Sequence, residues 1–179
     1  MLQFEKDLAK KKNAKKWRQT KDIVRWLANN LAKNSDFQVL AFNSEPHFLL
    51  ESEQGRWIRS SDVKKIRDLD ARLSEIIPDQ GTNLFKAFKA IHALSPPPDN
   101  IVLITDGLPT LGANEPNTEL VNQEQRIDLF NEALNELPPA TPVNVLLLPL
   151  RGDKAAPATY WELAYKSKGA LLSVANDWP

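Results

Sequence analysis

Ile101-Val102-Leu103-Ile104-Thr105-Asp106-Gly107-Leu108-Pro109-Thr110 is the stretch on which the reading of this chain turns. Its first five residues form an uninterrupted apolar, β-branched run. That is the pattern of a strand buried on both faces of a parallel sheet, where helical crossovers cover the faces. Downstream, a long polar loop runs to about Val121. A helix over roughly Gln123–Leu137 turns Ile127, Phe130, Leu134 and Leu137 inward and stops at Pro138-Pro139. Val143–Leu148 reads as a second buried strand, Ala158–Lys168 as a helix closed by Gly169, and Ala170–Val174 as a last strand.

Upstream, Pro96-Pro97-Pro98 is a stiff connector after a helix over about Asn83–Leu94. Before it, Asp62 caps a helix in which Val63, Ile66, Leu69, Leu73 and Ile76 repeat at helical spacing. His47–Leu50 and Arg56–Ile58 look like hairpin arms around Glu53-Gln54-Gly55, and Phe37–Phe42 like one short strand. A first helix begins near Trp17 and ends at Asn34-Ser35. This alternation predicts an α/β fold with a doubly wound, mostly parallel sheet and helices on both faces.

Composition narrows the classes of function. The 179 residues are 42% hydrophobic and 26% charged, which suits a folded domain and excludes a disordered tail or a fibrous rod. Cysteine is absent, so neither a disulfide framework nor a zinc-thiolate site exists. His47 and His92 are the only histidines, and no Gly-x-Ser-x-Gly or phosphate-cradling glycine loop occurs. No apolar run approaches the length of a membrane span, so as written the chain reads as cytoplasmic; a preceding segment could carry a signal or anchor. Charge is balanced at 23 acids and 23 bases, but residues 1–25 hold nine Lys/Arg against Glu5, Asp7 and Asp22. This basic head (residues 1–16) reads as a solvated connector into a single domain over residues 17–179, not as a nucleic-acid arm.

In open parallel sheets ligands bind beyond the carboxyl ends of the strands. The loops at those ends are Asn43–Glu45, Gly81–Asn83, Asp106–Thr110 and Leu150–Asp153. Thr82 and Asp106 offer a hydroxyl and a carboxylate without soft ligands, a donor chemistry that suits Mg²⁺. The same residues also fit a plainer account, in which Thr82 caps a helix and Asp106 opens a turn.

Asp106-Gly107-Leu108-Pro109-Thr110 after an apolar strand resembles the third metal-site motif of the von Willebrand factor type A domain family. Gly81-Thr82-Asn83-Leu84, upstream and just before a helix, resembles that family's second motif. Phe37–Ser44 resembles its second strand, and Tyr160–Ala164 with Gly169 and Ala170–Val174 its final helix and strand. The likeness runs from about Trp17 to the C-terminus. It implies Thr82 as a direct metal ligand, Asp106 as a ligand through water, and Asn43, Gly107 and Thr110 as the partner-binding rim. The family's first strand ends in Asp-x-Ser-x-Ser, which supplies three of five metal-site residues, and that motif does not occur here. By the family's pattern the chain begins just after it, so the Mg²⁺ or Mn²⁺ site is incomplete. A sheet lacking that central strand exposes edges, and poor solubility or strand-exchanged self-association is expected.

The resemblance implies a non-catalytic protein-protein interaction module that binds an acidic group of an unknown protein partner through the metal. Two other readings stay open: a Mg²⁺-dependent phosphoryl transferase or hydrolase using Asp106, and a metal-free structural α/β domain. Trp17, Trp26, Trp57 and Trp161 read as packing residues, as does His92, while Glu115, Glu119, Glu124 and Asp128 read as a solvated face.

Overall fold

The computed structural model describes residues 7, 10–79, 81–114, 121–149, 152–175 and 178. Their backbone contacts divide the chain into two compact units, one within residues 1–41, 47–80 and 176–179, the other within residues 42–46 and 81–175.

In the first unit, helix α1 spans Lys15–Asn29 and buries Gln19, Ile23 and Ala28. It is capped at Asn30, whose N–H reaches Trp26 and Leu27 carbonyls, four residues short of the Asn34-Ser35 stop expected from the apolar stripe. Lys10–Lys12 are helical and not an irregular entry, and Lys11 pairs with Asp79 at 2.6 Å. The expected single strand Phe37–Phe42 is two strands, β1 (Asp36–Phe37) and β2 (Leu40–Phe42). Between them the Gln38 amide donates to the carbonyls of Glu53 and Arg56, and its oxygen accepts from Val39 N–H. The expected hairpin of His47–Leu50 with Arg56–Ile58 is not formed either. β3 (Pro46–Phe48) pairs with β2, while β4 (Ile58–Arg59) runs antiparallel to β1, and the turn Glu51–Glu53 separates them. Helix α2 (Val63–Glu75) is capped by Asp62, which accepts from Lys65 N–H at 3.1 Å. The core of this unit is Phe37, Leu49, Leu50, Ile58, Leu69 and Leu73.

The second unit carries the parallel sheet and meets the α/β expectation. Strand β5 (Ile101–Thr105) pairs in parallel with β6 (Val143–Leu147), and β6 in parallel with β7 (Leu171–Ser173). Between them lie α3 (Leu84–His92), upstream of β5, then α4 (Gln123–Leu134) and α5 (Ala156–Ser167). Strands present alternate residues to each face. Ile101, Leu103, Val143, Val145 and Leu147 therefore face one side, where Leu84 and Phe88 of α3, Phe130 and Ala133 of α4, and Tyr160, Leu163 and Ala164 of α5 cover them. β5 is not buried on both faces, since Val102 is 40% exposed. Trp161 at 58% is likewise exposed, and His92 lies on the surface of α3, so these two are not the packing residues expected; Trp26, though 45% exposed, does pack its ring against Trp178 at 5.5 Å.

The end of α5 separates two roles expected of Gly169 alone. Lys168 takes the left-handed conformation at φ 65°, and Gly169 N–H returns to the Ala164 carbonyl at 2.8 Å. Gly169 is needed for closeness: a β-carbon there would sit 2.0 Å from the Val143 carbonyl oxygen. Lys168→Gly should therefore stabilise the protein by about 0.5–1 kcal/mol. Gly169→Ala should destabilise it by about 1–3 kcal/mol. Urea unfolding of the two variants checks both signs.

Candidate functional site

The site is built where β5 ends. Beyond Thr105 the chain leaves a parallel sheet, and its peptide groups lose their ladder partners while still shielded from water. Such groups need other partners. Side chains supply them. The Tyr160 hydroxyl donates to the Gly107 carbonyl at 2.9 Å, and Thr105 Oγ1 donates to the same oxygen at 3.0 Å. Leu108 N–H donates to Asp153 Oδ2 at 2.8 Å, and Asp153 Oδ1 accepts from Ala156 N–H, at the start of α5, at 3.2 Å. Arg126, from the first turns of α4, donates to the carbonyls of Leu108 and Pro109 and pairs with Asp153 Oδ2 at 2.8 Å. The Asp153 side chain is only 1% exposed. Burial in the core pushes the Tyr160 phenol above its ordinary range, and the Asp153 and Asp106 charges add to the rise.

The second loop is drawn onto this one. Thr82 N–H donates to Thr110 Oγ1 at 2.9 Å, and the Thr82 carbonyl accepts from Thr110 and Leu111 N–H at 3.0 Å each. Asn83 is buried and makes three links. Its N–H donates to the Asn43 carbonyl at 2.7 Å, its Nδ2 to the Gly112 carbonyl at 2.8 Å, and its Oδ1 accepts from Lys86 N–H at 3.0 Å. Asn83, not Thr82, is thus the cap of α3. The Asn43 carboxamide in turn accepts from Glu45 N–H at 3.0 Å, and Glu45 pairs with Lys86. Gly81 lets the strands of this knot approach, since a β-carbon there would lie 2.8 Å from Thr110 Oγ1.

Asn43, Thr82 and Thr110 are thereby joined through main-chain and hydroxyl contacts, each half-buried. Asp106 is half-buried at the opening of the same loop. Gly107 is fully buried, and its carbonyl points inward to Tyr160, so it supports the loop from beneath. Sequence reasoning missed Arg126, Asp153 and Asn83. Asp153 lay in a loop singled out by strand-end position, but nothing in spacing pairs it with Arg126. Glu115 and Glu119 lie outside the described residues; Glu124 and Asp128 are exposed on α4, as expected of a solvated face.

As a metal centre this donor set falls short. Mg²⁺ takes six oxygens in near-ideal octahedral geometry. Among the described residues no group of three or more His, Asp or Glu side chains could hold a metal ion. The Thr110 hydroxyl oxygen is already an acceptor for Thr82 N–H. Thr82 and Asp106 alone do not complete a site.

Two outcomes follow from these contacts. Asn83→Ala removes the α3 cap and leaves the Gly112 carbonyl without its donor, and should cost about 2 kcal/mol in urea unfolding. For Tyr160, the raised folded-state value means the folded protein holds the phenolic proton more tightly than the unfolded chain. Its contribution is fully present below the free-tyrosine value near ~10 and declines as pH rises beyond it. Tyr160→Phe should flatten the stability loss seen above about pH 10 in denaturation at graded pH.

No protein-family model matches the chain, and no curated protein matches it in sequence. Among solved structures it is similar to a von Willebrand factor type A protein from Catenulispora acidiphila. That superposition has a TM-score of 0.65 at 13% identity and covers 94% of this chain and 36% of the other. The chain thus spans about a third of that structure's length. Resemblance of motifs and likeness of architecture agree: this chain has the α/β fold of a von Willebrand factor type A domain.

Proposed function

We propose that the chain is a non-catalytic protein-interaction module that presents the joined loops at residues 43–45, 81–83 and 106–112 to a protein partner. The observation that carries this reading is the knot Thr82–Thr110–Asn83–Asn43, which fixes three loops from distant parts of the sequence into one surface. Fixed loops at strand ends are what recognition needs, because a preorganised surface loses little entropy on binding. Domains of this fold are in general interaction modules.

In the fuller form of the proposal, the partner contributes an acidic group. Thr82 and Asp106 would contribute to holding a Mg²⁺ or Mn²⁺ ion, which needs donors additional to the described residues, and the ion would supply the positive charge for that group. Asn43 and Thr110 border the contact, and Gly107 shapes the loop from below. The membrane is not implicated by any helix, since none among the described residues is long and apolar enough to cross one.

The test is quantitative capture of binding proteins on the immobilised chain, with and without 5 mM-range Mg²⁺, roughly the level at which weak sites fill. Asp106→Ala and Thr82→Ala should each lower recovery of the same partner by about tenfold, the scale of losing a charge-assisted contact. Recovery on both variants equal to that on the parent chain would remove the proposal. Hydrolysis of a phosphate ester that vanishes in Asp106→Ala would replace it with the enzymatic reading.

A further inference from the structure

The ion pair beneath the loop makes few of its bonds to other side chains. Asp153 accepts from two main-chain N–H groups, Leu108 and Ala156, and from Arg126. Arg126 also donates through Nη2 to the Leu108 carbonyl and through Nε to the Pro109 carbonyl. One pair thus ties the loop after β5 to α4 and to the start of α5. A buried ion pair is a weak source of stability, because desolvation of both charges offsets most of their attraction, and apolar replacements of similar volume are often tolerated. What apolar side chains cannot reproduce is the fixed direction of the guanidinium fork and the two carboxylate oxygens.

We infer that Arg126 and Asp153 are the positioning residues of the recognition surface: they set the main chain of residues 107–109 and thereby aim Asp106 and Thr110, which flank it. This rests on the reading of that loop face as the partner surface. The consequence reaches past the pair itself. Thr110 meets Thr82 N–H only while the segment before it keeps its course, and the Thr110 and Leu111 amides, both bonded to the Thr82 carbonyl, report whether it does. Neither amide touches Arg126 or Asp153. Lysine cannot substitute for Arg126, since one ammonium on a flexible stem does not span a carboxylate and two carbonyls in fixed geometry.

The experiment is amide hydrogen exchange, residue by residue, on the full chain and on the double variant R126M/D153L, with R126K beside it. The double variant removes both charges together and so leaves no unpaired buried ion. The expected result is Thr110 and Leu111 exchanging about tenfold faster or more, while Val145, whose N–H bonds to the Ala170 carbonyl in the sheet, keeps its protection. R126K should show the same local effect with Asp153 still paired, and it carries the test if the double variant does not fold. The inference is overturned if Thr110 and Leu111 stay within about twofold of the parent, or if Val145 accelerates by the same factor, which marks a merely global loss of stability. The outcome is separable from that of the partner surface. Exchange reads the clamp without any partner, and capture on Asp106→Ala reads the surface without disturbing the clamp.

Discussion

A chain leaving a buried strand must find hydrogen-bond partners for its next peptide groups before water can reach them, and the second unit is organised around that requirement. The carbonyls of Gly107, Leu108 and Pro109 and the N–H of Leu108 lie beyond the reach of any ladder. Tyr160 of α5, Arg126 of α4 and Asp153 of the loop before α5 satisfy them. The position of α4 and the start of α5 are therefore coupled to the course of a loop of a few residues. Tyr160 shows how tightly: it packs edge-on against Phe130 at 5.3 Å within the core and still reaches the loop with its hydroxyl. Its ring belongs to the hydrophobic cluster and its oxygen to the site.

A second constraint acts from the other side. Residues 81–83 approach residues 110–112 closely enough that a β-carbon on Gly81 would collide, and Asn83 forms an isolated parallel bridge with Leu111. The loop from β5 is held below by side chains and laterally by main chain. Each contact is worth about 1 kcal/mol net, yet an unmet buried group costs more than that. Removing one member therefore costs more than its own bond suggests, which is why the expected losses fall on Asn83 and not on the exposed charges.

Much of this was legible in the residues. The apolar runs 101–105 and 143–147 give the sheet, because period and length leave little choice for strands shielded on their core face. The cap at Asp62 and the helix end just before Gly169 follow from local hydrogen bonding that spacing reveals. The first unit was harder to read. Phe37–Phe42 is apolar enough for one strand, but Gln38 turns its carboxamide to the Glu53 and Arg56 carbonyls and divides it. Partners 15 and 18 residues away leave no trace in local periodicity. Helix α1 stops at Asn29 although apolar residues continue to Ala32, for amphipathic spacing describes which face is buried and not where the backbone turns.

The candidate site divides along the same line. The sequence alone determined which loops stand at strand ends, that Thr82, Asp106 and Thr110 occupy them, and that glycine precedes a helix there, since all of these are properties of neighbouring residues. Only the tertiary structure decided that Asn83 and not Thr82 caps α3, that Gly107 is interior, and that Arg126 and Asp153 hold the loop between them. Those outcomes depend on which buried polar groups are left over once distant segments pack, and a leftover group is defined by the whole fold, not by its neighbours in the chain.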